Sequence, residues 1–67
     1  MSEGTDKADR LLRIVDVKSL VGLGKSKIYA LVAEGAFPKP YKLSPKAARW
    51  SEREIVAWIE SVRLPGR

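Results

Sequence analysis

The sequence contains no cysteine and no histidine. Without cysteine, no disulfide staples the fold and no thiolate binds a metal or attacks a substrate. Without histidine, the commonest general base and the commonest metal ligand are both missing. A carboxylate-only site would have to come from eight acids scattered over 67 residues, an ordinary number for a surface. The chain therefore reads as a protein that is not an enzyme and takes neither cofactor nor metal. It also lacks any apolar run near the roughly 20 residues that span a bilayer. Its first nine residues are polar and acidic, unlike a secretory signal, so a cytoplasmic location with no membrane partner is expected.

What remains is one small domain with a core of aliphatic and aromatic side chains only. A domain of this size buries only about 60% of the surface of its unfolded chain. The net charge is +5, and it is unevenly placed. Residues 1–9 hold Lys7 against Glu3, Asp6 and Asp9. Residues 10–50 hold nine basic side chains against Asp16 and Glu34, a local excess of +7. Residues 51–67 balance three bases with three acids. A basic middle segment is the electrostatic footprint of a nucleic-acid binder, although a solubilising surface would look the same by charge alone.

The pattern along the chain predicts a disordered acidic tail over 1–9, a folded domain over 10–63 and a flexible tail over 64–67. Leu11, Leu12, Ile14 and Val15 admit a short edge strand that leads straight into a helix. Asp16 is expected to cap a first helix near 16–21, with Val17, Leu20 and Val21 on its inner face and Gly22 ending it in a left-handed conformation. Gly22-Leu23-Gly24 makes a tight turn with Leu23 tucked inward. A second helix begins near Lys25, with Gly24 as a weak cap, Ile28, Leu31 and Val32 facing the core, and Gly35 ending it. Two short amphipathic helices across a glycine turn are the helix-turn-helix signature, and an ordinary helical hairpin shares it.

Pro38, Pro40 and Pro45 exclude a helix through most of 37–50. Tyr41-Lys42-Leu43 and Ala48-Arg49-Trp50 instead suit a two-stranded wing around a turn at Ser44-Pro45-Lys46. Leu43 and Trp50 are expected to face the core, with Lys42, Lys46 and Arg49 outward. Trp50, Trp58 and Phe37 read as core, and the role of Tyr41 stays open. The last helix opens on a capping box: Ser51 caps the Glu54 amide and Glu54 reaches back to the amide of Ser51. Ile55, Trp58, Ile59 and Val62 form its packing face, and Pro65-Gly66 stops it. The expected architecture is α+β and mainly α: a winged helix-turn-helix of three helices with a two-stranded β-wing and the short N-terminal strand.

In such a fold the second helix enters the major groove and its first residues meet the base edges. Those residues are Lys25, Ser26, Lys27 and Tyr29. The lysines can donate to guanine O6 or N7 or to phosphate, Ser26 to a base or a phosphate, and Tyr29 either donates to phosphate or packs. Lys42, Lys46 and Arg49 are the wing candidates, for the DNA backbone or the minor groove.

Four stretches carry a family resemblance: Arg10-Leu-Leu-Arg-Ile, Val21-Gly-Leu-Gly-Lys-Ser-Lys-Ile-Tyr, Glu34-Gly-Ala-Phe-Pro-Lys-Pro-Tyr-Lys-Leu, and Ala48-Arg-Trp-Ser-Glu-Arg-Glu-Ile-Val-Ala-Trp-Ile-Glu. Together they resemble the AlpA family of phage and prophage regulators, similar to the DNA-binding domain of MerR regulators and to phage excisionases. The resemblance spans roughly 10–63 and implies Lys25, Ser26, Lys27 and Tyr29 as recognition-helix residues and Lys42, Ser44, Lys46 and Arg49 as wing residues. It implies a protein of a mobile element that binds double-stranded DNA on the nucleoid, regulating integrase or excision genes, acting as a recombination directionality factor, or both. An integrase and neighbouring copies on DNA are the implied partners. Gly24 stands where relatives commonly have serine, and Ser44-Pro45 where their wing tip is commonly glycine-rich. A protein-interaction adaptor that binds a host regulator through the same fold is the alternative, and RNA binding is a weaker one.

Overall fold

The computed structural model describes residues 9–63. The order of elements is β1 (Leu11–Leu12), α1 (Ile14–Val21), α2 (Lys25–Ala33), β2 (Tyr41–Ser44), β3 (Ala47–Ser51) and α3 (Glu52–Val62). Three helices and a three-stranded antiparallel sheet, ordered β1-β3-β2, make an α+β winged helix. Of the expected tails over 1–9 and 64–67, all but Asp9 lie outside the described residues. Among those described, no helix is long and apolar enough to cross a membrane.

Helix α1 starts two residues earlier than its sequence suggests. Asp16 is not the cap but the third helical residue, and its carboxylate accepts the backbone N–H of the true cap, Arg13, at 3.1 Å. The inner stripe runs through Ile14, Val17 and Val21, and Leu20, expected in the core, lies at its margin and faces solvent. Gly22 ends the helix as expected, left-handed at φ 72°, with its N–H on the Lys18 carbonyl. Helix α2 is followed in the same way by Gly35 at φ 78°. Any other residue at these two positions would be strained.

The core is Leu12, Val17, Ile28, Phe37, Trp50 and Ile55, with Leu23, Leu31, Val32, Trp58 and Ile59 half-buried around it. Val62, expected on the packing face of α3, is exposed at the last residue of the helix. Trp50 is the hub. It sits on the central strand opposite Leu12, is fully buried, and donates its indole N–H to the Pro38 carbonyl at 2.9 Å. Trp58 does the same for the Ala36 carbonyl at 2.8 Å and meets Phe37 edge-on. Two tryptophans thus satisfy the backbone of the proline-rich loop, which has no ladder of its own.

Leu43 departs from expectation. Lys42 pairs with Ala48 and Ser44 with Ala47, so two steps along β2 answer one along β3. Leu43 is the extra residue of this bulge. A bulge re-aims the side chain it carries, and Leu43 points to solvent, 57% exposed, instead of into the core.

The start of α3 is fully accounted for. The Glu52 amide reaches the Arg10 carbonyl at 2.9 Å, the Arg53 amide reaches the Asp9 carboxylate at 3.1 Å, and the Glu54 amide reaches Ser51 Oγ at 3.1 Å. The return half of the expected capping box is not made. Ser51 still belongs to the ladder, opposite Leu11, and the Glu54 carboxylate accepts the Tyr41 hydroxyl instead. Asp9, placed in the tail by its sequence, also accepts the Ser51 hydroxyl. That bond first, and the Arg53 amide and charge second, hold the Asp9 carboxyl below its usual 3.8 against a cost of desolvation.

The weight carried by Trp50 and Asp9 is measurable. Trp50→Ala should remove about 3–5 kcal/mol from a domain whose whole stability is roughly 3–10 kcal/mol, leaving much of the chain unfolded. Trp50→Phe keeps most of the volume but strands the Pro38 carbonyl, at about 1–3 kcal/mol. Urea titration followed by circular dichroism separates the two. Because folding depresses the Asp9 pKa, its stabilisation is present above the unfolded value and is lost as pH falls through the folded one. Asp9→Ala should therefore lower the melting temperature at neutral pH, and its gap to wild type should close as pH drops below 3.8.

Candidate nucleic-acid interface

The three helix N-termini differ in charge. Helix dipoles favour acids in the first turn and disfavour bases. Helix α1 has Asp16 there and α3 has Glu52 and Glu54. Helix α2 has no acid in its first turn and carries Lys25 and Lys27 instead. Its cap, Gly24, is extended and offers no side-chain oxygen to the first-turn amides. The start of α2 is therefore an uncapped set of N–H groups flanked by two exposed ammonium groups and the exposed Ser26. This arrangement costs stability by itself and is relieved by an anion, with phosphate a good fit.

Tyr29 joins this helix to the sheet. Its ring lies edge-on to Trp50, with centroids 5.8 Å apart, and stays 38% exposed. Among the described residues its hydroxyl makes no hydrogen bond. The ring packs against the core, and the hydroxyl keeps its donor free of protein partners among the described residues.

The wing places its candidates differently. Lys42 and Ser44 are exposed on β2, and Lys46 is exposed in the turn that follows. Arg49 is half-buried opposite Tyr41, and one of its guanidinium N–H groups donates to the Ala48 carbonyl at 3.0 Å. A guanidinium has five donors, so the others remain for a phosphate. Tyr41, left open by its sequence, donates to the Glu54 carboxylate at 2.6 Å and ties β2 to α3. That bond, then the charge of Glu54, holds the Tyr41 phenol above its ordinary 10.0. Sequence reasoning assigned no role to Lys39, which is exposed in the loop leading to the wing. Its only signal was a basic side chain between two prolines.

Known proteins share this sequence pattern. The family model described as "Prophage CP4-57 regulatory protein (AlpA)" matches residues 10–64. The chain belongs to the AlpA family of phage regulatory proteins. The match covers every element of the fold, from β1 to the end of α3. An uncharacterised protein of Enterobacteria phage P4, ORF88, is 39% identical over 59 residues, covering 88% of this chain and 66% of the phage protein. The chain thus spans about two thirds of that relative's length. No solved structure is significantly similar to it.

The tie between wing and α3 is testable. In a Tyr29→Phe background, phenolate absorbance reports Tyr41 alone, since the chain has two tyrosines. Its titration midpoint should lie above 10.0, and Glu54→Gln should bring it back toward that value. The tie is complete below pH 10.0 and is lost as pH rises through the raised pKa.

Proposed function

We propose that the chain binds double-stranded DNA, with the N-terminus of α2 in the major groove and the wing on the backbone or in the adjacent minor groove. The observation that carries this reading is the reversed charge of α2. Of the three helices described, only α2 has lysines and no acid in its first turn, and only α2 lacks a side-chain cap or carboxylate there. A sequence under selection for stability alone would not load a helix start this way. Lys25, Ser26 and Lys27 contact bases or phosphates, and Tyr29 holds the helix at a fixed angle to the sheet while its hydroxyl reaches phosphate. Lys42, Ser44, Lys46 and Arg49 supply the wing contacts. Membership of a phage regulatory family supports a role in the cytoplasm, on the nucleoid, as a regulator of integrase or excision genes or as a recombination directionality factor. In the second role, neighbouring copies and an integrase share the DNA.

The same observation yields a test with opposed outcomes. Lys25→Glu with Lys27→Glu should stabilise the fold by about 0.3–1 kcal/mol per charge while abolishing DNA binding. Single replacement by alanine should weaken binding and reduce the slope of log K against log salt by about 0.9 for each phosphate no longer neutralised. Thermal melts and gel shifts on DNA selected from a random pool measure both. A doubly reversed variant that binds DNA like wild type would overturn the reading; one that also keeps its activity in cells would favour the adaptor alternative. Footprinting over the element's attachment site and integrase promoter separates the roles, since regular protected repeats flanking the crossover mark the excision factor.

A further inference from the structure

Leu43 is the large apolar side chain at the end of the wing. It stands 57% exposed on the bulge of β2, an edge strand, beside Pro45 at the tip. Burying a leucine is worth about 1.5–3 kcal/mol, and this domain has few core residues to spare. The fold nevertheless leaves it in solvent: every residue of β2 is exposed, and the irregular register falls at Leu43. Its immediate surroundings are cationic: Lys42 precedes it, Lys46 follows in the turn, and both are exposed. An apolar tip with an exposed lysine on either side of it in sequence suits a groove between two phosphate backbones, where an apolar side chain can wedge between stacked bases.

We propose that Leu43 is a wedge that enters the minor groove and partly unstacks one base step, with Lys42 and Lys46 on the flanking phosphates. This inference rests on the DNA-binding reading above. Minor-groove proteins commonly use leucine or proline in this way, and the unstacked step kinks the duplex toward the major groove. The wedge favours steps that unstack at low cost, namely TA and CA/TG. It therefore adds sequence preference at a position where no hydrogen bond reads a base. The base of the wing is fixed to carry the load: Tyr41 is tied to Glu54, and Trp50 is locked to the Pro38 carbonyl. Pro45 stiffens the turn, since proline presets the backbone at the first central position of a turn.

The experiment uses the full chain and duplexes that the wild-type protein selects from a random pool. 2-Aminopurine is placed in turn at each adenine of the segment protected by the wing. Wild type should raise its fluorescence severalfold at one step and shift mobility in a circular-permutation bending assay. Leu43→Ala should lose both effects while keeping the salt slope, because leucine contributes no charge. Leu43→Phe, a larger wedge, should restore them. Leu43 is solvent-exposed, so neither variant should impair folding, and a thermal melt verifies this. Salt-dependent binding without any fluorescence rise, or an unchanged bend in Leu43→Ala, would overturn the wedge and leave DNA binding intact. Failure of the pool to yield any bound duplex would overturn both. If Leu43→Ala instead changes the sedimentation mass of the free protein, Leu43 is a contact between copies and the wedge is overturned.

Discussion

The indole of Trp50 is the constraint on which the rest of the fold depends. Its ring fills the centre of a core that has, among the described residues, only six fully buried apolar side chains. Its N–H anchors the loop at Pro38, its strand pairs with both β1 and β2, and its edge meets Tyr29 of α2. An isolated two-stranded hairpin is marginal in water. Here the wing is stable because β3 is a central strand, flanked by β1 on its other side and seated on this one ring. Helix α2 is held against this ring by Tyr29 and by Ile28 in the core, with Leu31 and Val32 packed around it.

The second constraint is electrostatic, and it explains why the helix starts look so different. Helix α3 gathers a serine, the Asp9 carboxylate and the Arg10 carbonyl just before β1 to satisfy its first amides, and adds two glutamates. Helix α1 does a shorter version with Asp16. These are the devices a small domain uses to hold its helices together. Helix α2 forgoes all of them. In a domain where stability is scarce, leaving one helix start uncapped and doubly basic makes physical sense when an anion completes it.

Much of this was legible in the sequence, and the exceptions share a cause. Glycine and proline marked the turns correctly because their backbone limits are local: Gly22 and Gly35 are left-handed where expected, and the strands of the wing lie between and beyond the prolines. Helix periodicity found Val17, Ile28 and Ile55 for the same reason. What failed needed information from elsewhere in the chain. The bulge at Leu43 depends on how β2 meets β3, which alternation along one strand cannot show. Glu54 fitted a capping box by spacing, yet its carboxylate goes to Tyr41, thirteen residues away in sequence. Asp9 looked like part of an acidic tail, and only the fold brings it to Ser51 and Arg53. Asp16 was recognised as a capping residue but assigned the wrong position, since a carboxylate at either place serves the same helix start.

The misread residues are also informative about function. Local pattern and global fold agree through most of this chain, and where they disagree the reason is often a site rather than an error of packing. Glu54 gives up its return cap to hold the wing. Leu43 leaves the core although its sequence position alternates correctly to enter it. A wing held at its base by Tyr41 and Trp50 and stiffened at its tip by Pro45 loses little conformational freedom on meeting a partner, so less of the binding energy is spent on ordering it. In the proposed complex, the exposed cations would supply attraction that does not depend on sequence, and a rigid apolar tip would convert that attraction into deformation of the duplex. Such a division suits a small protein with few side chains to place on base edges: affinity comes from charge, and selectivity comes partly from how readily the DNA yields.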